Sequence, residues 1–235
     1  MSMRRVVVVA LCALAACGAP RAPDTAPRGD DVRVPIPDVA APARPAPRRA
    51  PPPRETAWTR DRDVRPCLGL VPSDDAAVTA SLAAGARLAL DAARAQGGPD
   101  LTLAVAPHES RWDAAASAAV RLAFDDGAVA VIAPPERRRA HVIAQMGTRA
   151  GIPVISTSPA RSVTSTGSGW VVGVVPQRDG VGDALPDAPP VDTAARADVV
   201  AAYRAAYGHD PDGWAVAGWD AARAALARIV HQLSR

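Results

Sequence analysis

Apolar residues recur along the chain in three regimes. Val6 to Ala16 is an unbroken apolar run of eleven behind the positive Met1–Arg5. Residues 18–66 show no amphipathic period. From Cys67 onward, short apolar blocks alternate with stretches of helical period. The blocks Cys67–Val71, Leu101–Val105, Ala128–Ile132, Pro153–Ser156 and Trp170–Val175 predict five strands. Between them the spacing predicts helices over about 79–95, Trp112–Phe124 and about 138–149. The first carries Leu82, Ala86, Ala89 and Ala93 on one stripe, and the second Ala116, Val120 and Ala123. After a Pro-rich loop at Asp183–Asp192, two more helices are predicted over about 193–207 and 214–232. The last has an apolar face of Val216, Trp219, Ala222, Leu226, Ile229 and Leu233. Continuous apolar strands separated by helices imply an α/β fold: one doubly wound lobe, a mostly parallel five-stranded sheet, and helices on both faces. Such sheets take ligands at the carboxyl ends of their strands.

Eleven apolar residues are too few to cross a bilayer as a helix, so the N-terminal run reads as an export signal. It ends in Leu14-Ala15-Ala16-Cys17 and Gly18, which resembles the lipobox of bacterial lipoproteins. That resemblance implies cleavage before Cys17, acylation of Cys17, and a membrane anchor in the cell envelope facing the periplasm. Gly18, not Asp, leans the reading toward an outer membrane. The expected division is a signal peptide at 1–16, a lipid-anchored stalk at 17–66, and a lobe at 67–235. Twelve of the 24 prolines fall in residues 18–66. Such a segment buries too little apolar surface to offset its ordering entropy and favours an extended form.

Charge narrows the function classes. All 27 basic residues are Arg. Residues 18–66 hold ten of them against seven acids, whereas 67–235 hold fifteen against seventeen. A nucleic-acid binder concentrates basic charge on its folded domain, so none is expected as partner. Once the signal is removed and Cys17 is acylated, Cys67 lacks an intramolecular disulfide partner; it reads as a buried, unreactive side chain. His108-Glu109 has no nucleophile or metal partner near it in sequence and reads as surface loop. The other histidines stand singly, without metal spacing. Neither a nucleophile elbow nor a Gly-rich phosphate loop is present, so no enzyme, metal or cofactor is expected.

Three blocks of the folded part resemble the leucine/isoleucine/valine-type periplasmic solute-binding proteins of ABC transporters. They are Gly85–Asp91 running to Gly97-Gly98; Ala128–Pro134 followed by Ala150–Ser156; and Tyr203–Gly208 with Asp210-Pro211 and Ala217–Ala221. The resemblance implies a non-catalytic binder of an amino acid or small anion, with a type I periplasmic-binding fold. Family members have two lobes that close on the ligand. Here the second lobe's place, 176–192, is too short for a domain, so a single lobe is expected.

By the same resemblance, ligand contacts fall on Ser73 and Asp74 after the first strand, on Arg137 and Arg138 after the third, and on Ser156 and Ser158 after the fourth. Three arginines stand where the family places a carboxylate-binding Ser, and Ala160 stands where a Thr hydroxyl is common. A run of arginines also serves as an ordinary solvated face, and the two serines as turn caps. Because one lobe offers one wall, three readings stay open: a weak or dimeric solute binder, a module docking on an envelope protein, or a remnant without function.

Overall fold

The computed structural model describes residues 65–109, 113–166 and 168–233, with side chains through Ile229. The signal, Cys17, nearly all of the stalk, Trp112 and the side chains of His231 and Leu233 lie outside them. The elements run β1 (Cys67–Leu70), α1 (Ala76–Ala95), β2 (Thr102–Val105), α2 (Ala114–Phe124), β3 (Ala128–Ala133), α3 (Arg137–Ala150), β4 (Val154–Ser156), α4 (Arg161–Thr164), β5 (Val171–Gly173), α5 (Ala197–Tyr207) and α6 (Gly213–Leu233). The five strands form one sheet in the order β2-β1-β3-β4-β5, every neighbouring pair parallel. This is the expected doubly wound lobe.

Alternation along each strand sorts side chains between two cores. Leu68, Leu70, Ala130, Ile132 and Ile155 face the layer of α1, α5 and α6. Cys67, Val71, Val131, Ala133 and Val154 face α2 and α3. Side chains of successive strand residues point to opposite faces, so a sheet covered on both sides needs apolar residues at every position. The run Ala128–Ala133, buried throughout, meets that demand.

The α1–α6 layer packs backbone to backbone. A Cβ at Gly85 would stand 1.8 Å from the Ala215 carbonyl oxygen, and one at Gly218 would stand 2.1 Å from that of Leu82. Two glycines thus let the helices approach closer than side chains allow. Asp75 caps α1 by accepting hydrogen bonds from the Ala77 and Val78 amides at 2.7 and 3.4 Å. Gly151 ends α3 in the left-handed region at φ 70°, and the Ile152 amide closes back on the Gly147 carbonyl at 2.9 Å.

Several local readings change. In α2 the buried stripe is Ala115, Ala119, Leu122 and Ala123, with Val120 37% exposed. The expected stripe was out of phase because it left out Leu122, the helix's largest buried side chain. The fifth strand ends at Gly173, short of Val175, and β2 is partly exposed because it forms a sheet edge. Trp214 and Trp219 are core residues, whereas Trp170 is half-buried at the start of β5. The one-turn helix α4 has no signal in the apolar pattern. Between β5 and α5, residues 174–196 form no helix or strand, only a bridge of Arg178 to Ala160. These residues therefore hold no second lobe. The chain returns through α5 and α6 to cover the same sheet.

Candidate functional site

Parallel strands bring their carboxyl ends to one edge, and five loops meet there. The loop after β1 is pinned from both sides. The Ser73 amide donates to Thr79 Oγ1 at 3.0 Å, and the Asp75 amide donates to Ser73 Oγ at 3.1 Å. The Ser73 hydroxyl donates in turn to the Glu136 carboxylate through a short bond. The same oxygen, Oε1, accepts from the Asp74 amide at 2.9 Å.

Glu136 is therefore the centre of this half of the edge. It occupies the N-cap position of α3, yet its side chain makes no capping bond. It reaches across to β1's loop, is only 3% exposed, and leaves Oε2 buried without a partner among the described residues. A buried carboxylate loses hydration free energy, which the two donors on Oε1 offset only in part. The reading of the sequence missed Glu136 because attention went to the three arginines behind it. The signal was present: a Glu directly after a buried strand and two prolines, where Ser, Thr, Asp or Asn is the usual cap.

The three arginines do not converge. Arg137 pairs with Asp183 at 2.7 Å. Arg138 is exposed, with no hydrogen bond or ion pair among the described residues. Arg139 pairs with Asp74 at 2.5 Å and donates to the carbonyls of Pro72 and Glu109. Asp74, a predicted contact, is thus tied to the loop after β3. Repulsion among like charges and the helical turn spread the side chains to different acids.

Ser156 and Ser158 are both fully buried. Ser156 Oγ accepts from the Ser158 amide at 3.2 Å, and Ser158 Oγ from the Ala160 amide at 3.4 Å. Between them Thr157 donates to the Ala133 carbonyl at 2.8 Å, joining the ends of β3 and β4. Gln177 then joins the β4 and β5 loops, donating to the carbonyls of Ser158 and Val175, both at 2.9 Å. Of the six predicted contacts, the structure brings Ser73 and Asp74 together with Glu136 and Arg139. Ser156 and Ser158 sit apart in a turn, and Arg137 and Arg138 diverge.

The remaining candidates match their plain readings. His108 and Glu109 are exposed in the loop after β2. Cys67 is buried, and its thiol is pushed up to about 11, first by burial and then by the nearby Asp126 carboxylate. It donates to the Asp126 carbonyl at 3.2 Å, as a structural thiol does.

A doubly wound, all-parallel sheet with its loops gathered at the carboxyl edge is the arrangement of one lobe of the type I periplasmic-binding fold. Residues 71–187 match the family model of the periplasmic binding proteins, so the family resemblance is shown for that segment. The fold is also similar to the branched-chain amino acid transporter substrate-binding protein LivJ of Streptococcus pneumoniae, solved in complex with isoleucine. That match has 15% identity and a TM-score of 0.56, and covers 68% of this chain and 82% of that one. An ABC transporter substrate-binding protein of Desulfitobacterium hafniense, in complex with Leu, matches at 16% identity and a TM-score of 0.55, with the same two coverages. A comparison with curated protein sequences produced no match. At these identities the structural likeness establishes the fold. The matched family consists of substrate-binding proteins of the periplasm or envelope, a class that binds rather than catalyses.

Proposed function

We propose that this chain is a non-catalytic solute-binding protein of the cell envelope, anchored by lipid at Cys17 and built as a single lobe on an extended stalk. The lobe corresponds to the first half of the two-lobed family, its second half deleted between β5 and α5. Its solute is a small molecule of the amino acid or small-anion class. The carrying observation is the carboxyl edge itself: the one face of an all-parallel sheet where loops from every strand meet, in a fold shared with relatives bound to isoleucine and leucine. Of the residues read from the sequence, Arg138 is the exposed cation available to an anionic group. Ser73, Asp74, Arg137, Ser156 and Ser158 shape the loops around it.

A single wall buries less ligand surface than a closed clamshell, so affinity is expected in the micromolar to millimolar range unless a second copy supplies the other wall. Isothermal titration with L-leucine, L-isoleucine and small carboxylates tests this; no heat up to millimolar ligand overturns it. Labelling with tagged palmitate tests the anchor, which predicts label on the wild type and none on Cys17→Ser.

The internal engagement of five of the six predicted contacts favours a second reading, a module that docks on an envelope enzyme or transporter. Crosslinking in cells then captures one dominant partner, and a diffuse set of products counts against it.

A further inference from the structure

An apolar face at the amino end of the sheet stays partly exposed. Between the C-terminal halves of α2 and α3 runs a shallow groove whose lining is apolar throughout, with Val120, Phe124, Met146 and Ala150 along it. Val120 is 37% exposed at its rim, and Phe124 and Met146 are half-buried. A helix that links two parallel strands runs back against them, so these helix ends lie opposite the carboxyl edge. Ile152 and Val154, at the start of β4, line the same groove.

The chain enters the lobe beside this groove. The Cys67 amide donates to the Gly127 carbonyl at 3.2 Å, and Gly127 follows Phe124 by three residues. The segment that arrives there holds a tryptophan. Between Ala40 and Asp63 every residue other than Trp58 is Ala, Pro, Arg, Asp, Glu or Thr. Trp58 stands eight residues before Pro66, and that length of extended chain reaches up to about 26–29 Å. On its α2 side the groove runs from Ala119 to Phe124, about 8 Å of helix, so all of it lies within reach. Charge agrees with this placement. Arg60 and Arg62 lie between Trp58 and the lobe, and on an extended chain these three share one side while Asp61 and Asp63 take the other. Asp125 and Asp126 close α2 at the end of the groove. Asp126 is 3.6 Å from Arg121, and Asp125 is exposed, with no side-chain hydrogen bond or ion pair among the described residues.

We propose that Trp58 seats across the groove between α2 and α3, with Arg60 and Arg62 beside Asp125 and Asp126. The last residues before β1 are then an arm of the lobe. The indole covers Val120, Phe124 and Met146, where ring–ring and sulfur–ring contacts add to the burial of apolar surface. The consequence is mechanical. The arm joins the lobe at its amino end by a fixed joint instead of a free swivel, and the carboxyl edge is held facing away from it. This assignment does not depend on the solute-binding reading.

The test places p-benzoylphenylalanine at position 58 of the full-length chain, irradiates it and maps the crosslinked peptides. Mixing isotope-light with isotope-heavy protein separates crosslinks within one chain from those between two. Crosslinks within one chain are expected on the α2 and α3 sides of the groove, with Val120, Phe124 and Met146 foremost. Val120→Glu and Val120→Lys each put a charge on the groove and are expected to lower that yield about tenfold, whatever the sign of the charge. Val105→Glu, at an equally exposed valine on β2, leaves it unchanged. Asp125→Asn lowers it about twofold, as loss of an exposed ion pair does. Crosslinks scattered over the lobe, or none to it, overturn the proposal. So does a groove yield that is the same in wild type and both Val120 variants. Crosslinks mainly between light and heavy chains assign the groove to a second copy and overturn it as well.

Discussion

The two halves of the carboxyl edge solve the same problem in opposite ways. Around the ends of β1 and β3, most polar groups are engaged internally, Glu136 Oε2 excepted: Ser73 and the Asp74 amide on Glu136, Arg139 on Asp74, Arg137 on Asp183. Around the ends of β4 and β5 lies an open pocket with a largely apolar lining, and the Arg178 and Asp187 side chains at its border are unengaged among the described residues. Hydrogen bonds formed within the fold are not available to a ligand without first being broken. The polar half is thus engaged by the fold itself and the apolar half is not, and the family resemblance places expected contacts in both.

The largest effect is expected where the apolar half is seated on α6. Gly213→Ala drives a methyl group to within 1.8 Å of the Pro189 carbonyl oxygen. Segment 187–190 must lift or α6 must shift, at a loss of about 3 kcal/mol by analogy with overpacked cores. Thermal melts check this, with Gly182→Ala as contrast, because nothing lies within 4 Å of a Cβ there. Equal melting temperatures for both variants break the comparison at its base.

Next comes the buried carboxylate. Glu136→Ala strips two donors of their acceptor and is expected to destabilise by about 2 kcal/mol. Glu136→Gln keeps an acceptor and gives the orphaned second position a hydrogen to donate, so its loss is expected to be well under that of the alanine variant. Denaturant titration separates the two. A Gln variant as unstable as the Ala variant means that the charge, not the hydrogen-bond geometry, holds the loops.

Smaller effects grade the arginines. Arg139 is 13% exposed and bonds to Asp74 and two carbonyls, so Arg139→Ala is expected to lower stability by about 1–2 kcal/mol. Arg138→Ala should fall within about 0.5 kcal/mol of wild type, as exposed substitutions do. Three equal losses across the Arg137, Arg138 and Arg139 variants would argue for a cooperative cluster instead of three separate fates.

A pH effect lies beneath both halves. With its folded value near 11 against 9.0 ordinarily, the Cys67 thiol stays neutral in the fold after the unfolded chain has ionised. Its contribution is complete below about pH 9 and is lost as pH rises toward 11. Stability measured from pH 8 to 11 should decline by about 1–2 kcal/mol more than in Cys67→Ala. Parallel curves for the two proteins contradict the buried-thiol assignment.

The apolar pattern by itself determined the architecture. Five apolar runs too continuous for a one-sided sheet, separated by helical periods, admit little besides a parallel sheet covered on both faces. Strand parity and helix period are local properties that one segment displays without knowledge of the others. The loop between the fifth strand and the late helices was equally legible, because too few residues separate them to build a domain. The fate of the charges was not local. Adjacent Arg137, Arg138 and Arg139 look alike in sequence. Only the fold brings Asp183 to the first and Asp74 to the third, and leaves the second in solvent. Glu136 found Ser73 sixty-three residues away through the parallel pairing of β3 with β1. Arg178 and Asp187 came to border one open pocket, beside the point where Gly213 of α6 admits the Pro189 carbonyl. Pairings of this kind depend on which backbones approach each other, and long-range packing alone decides that.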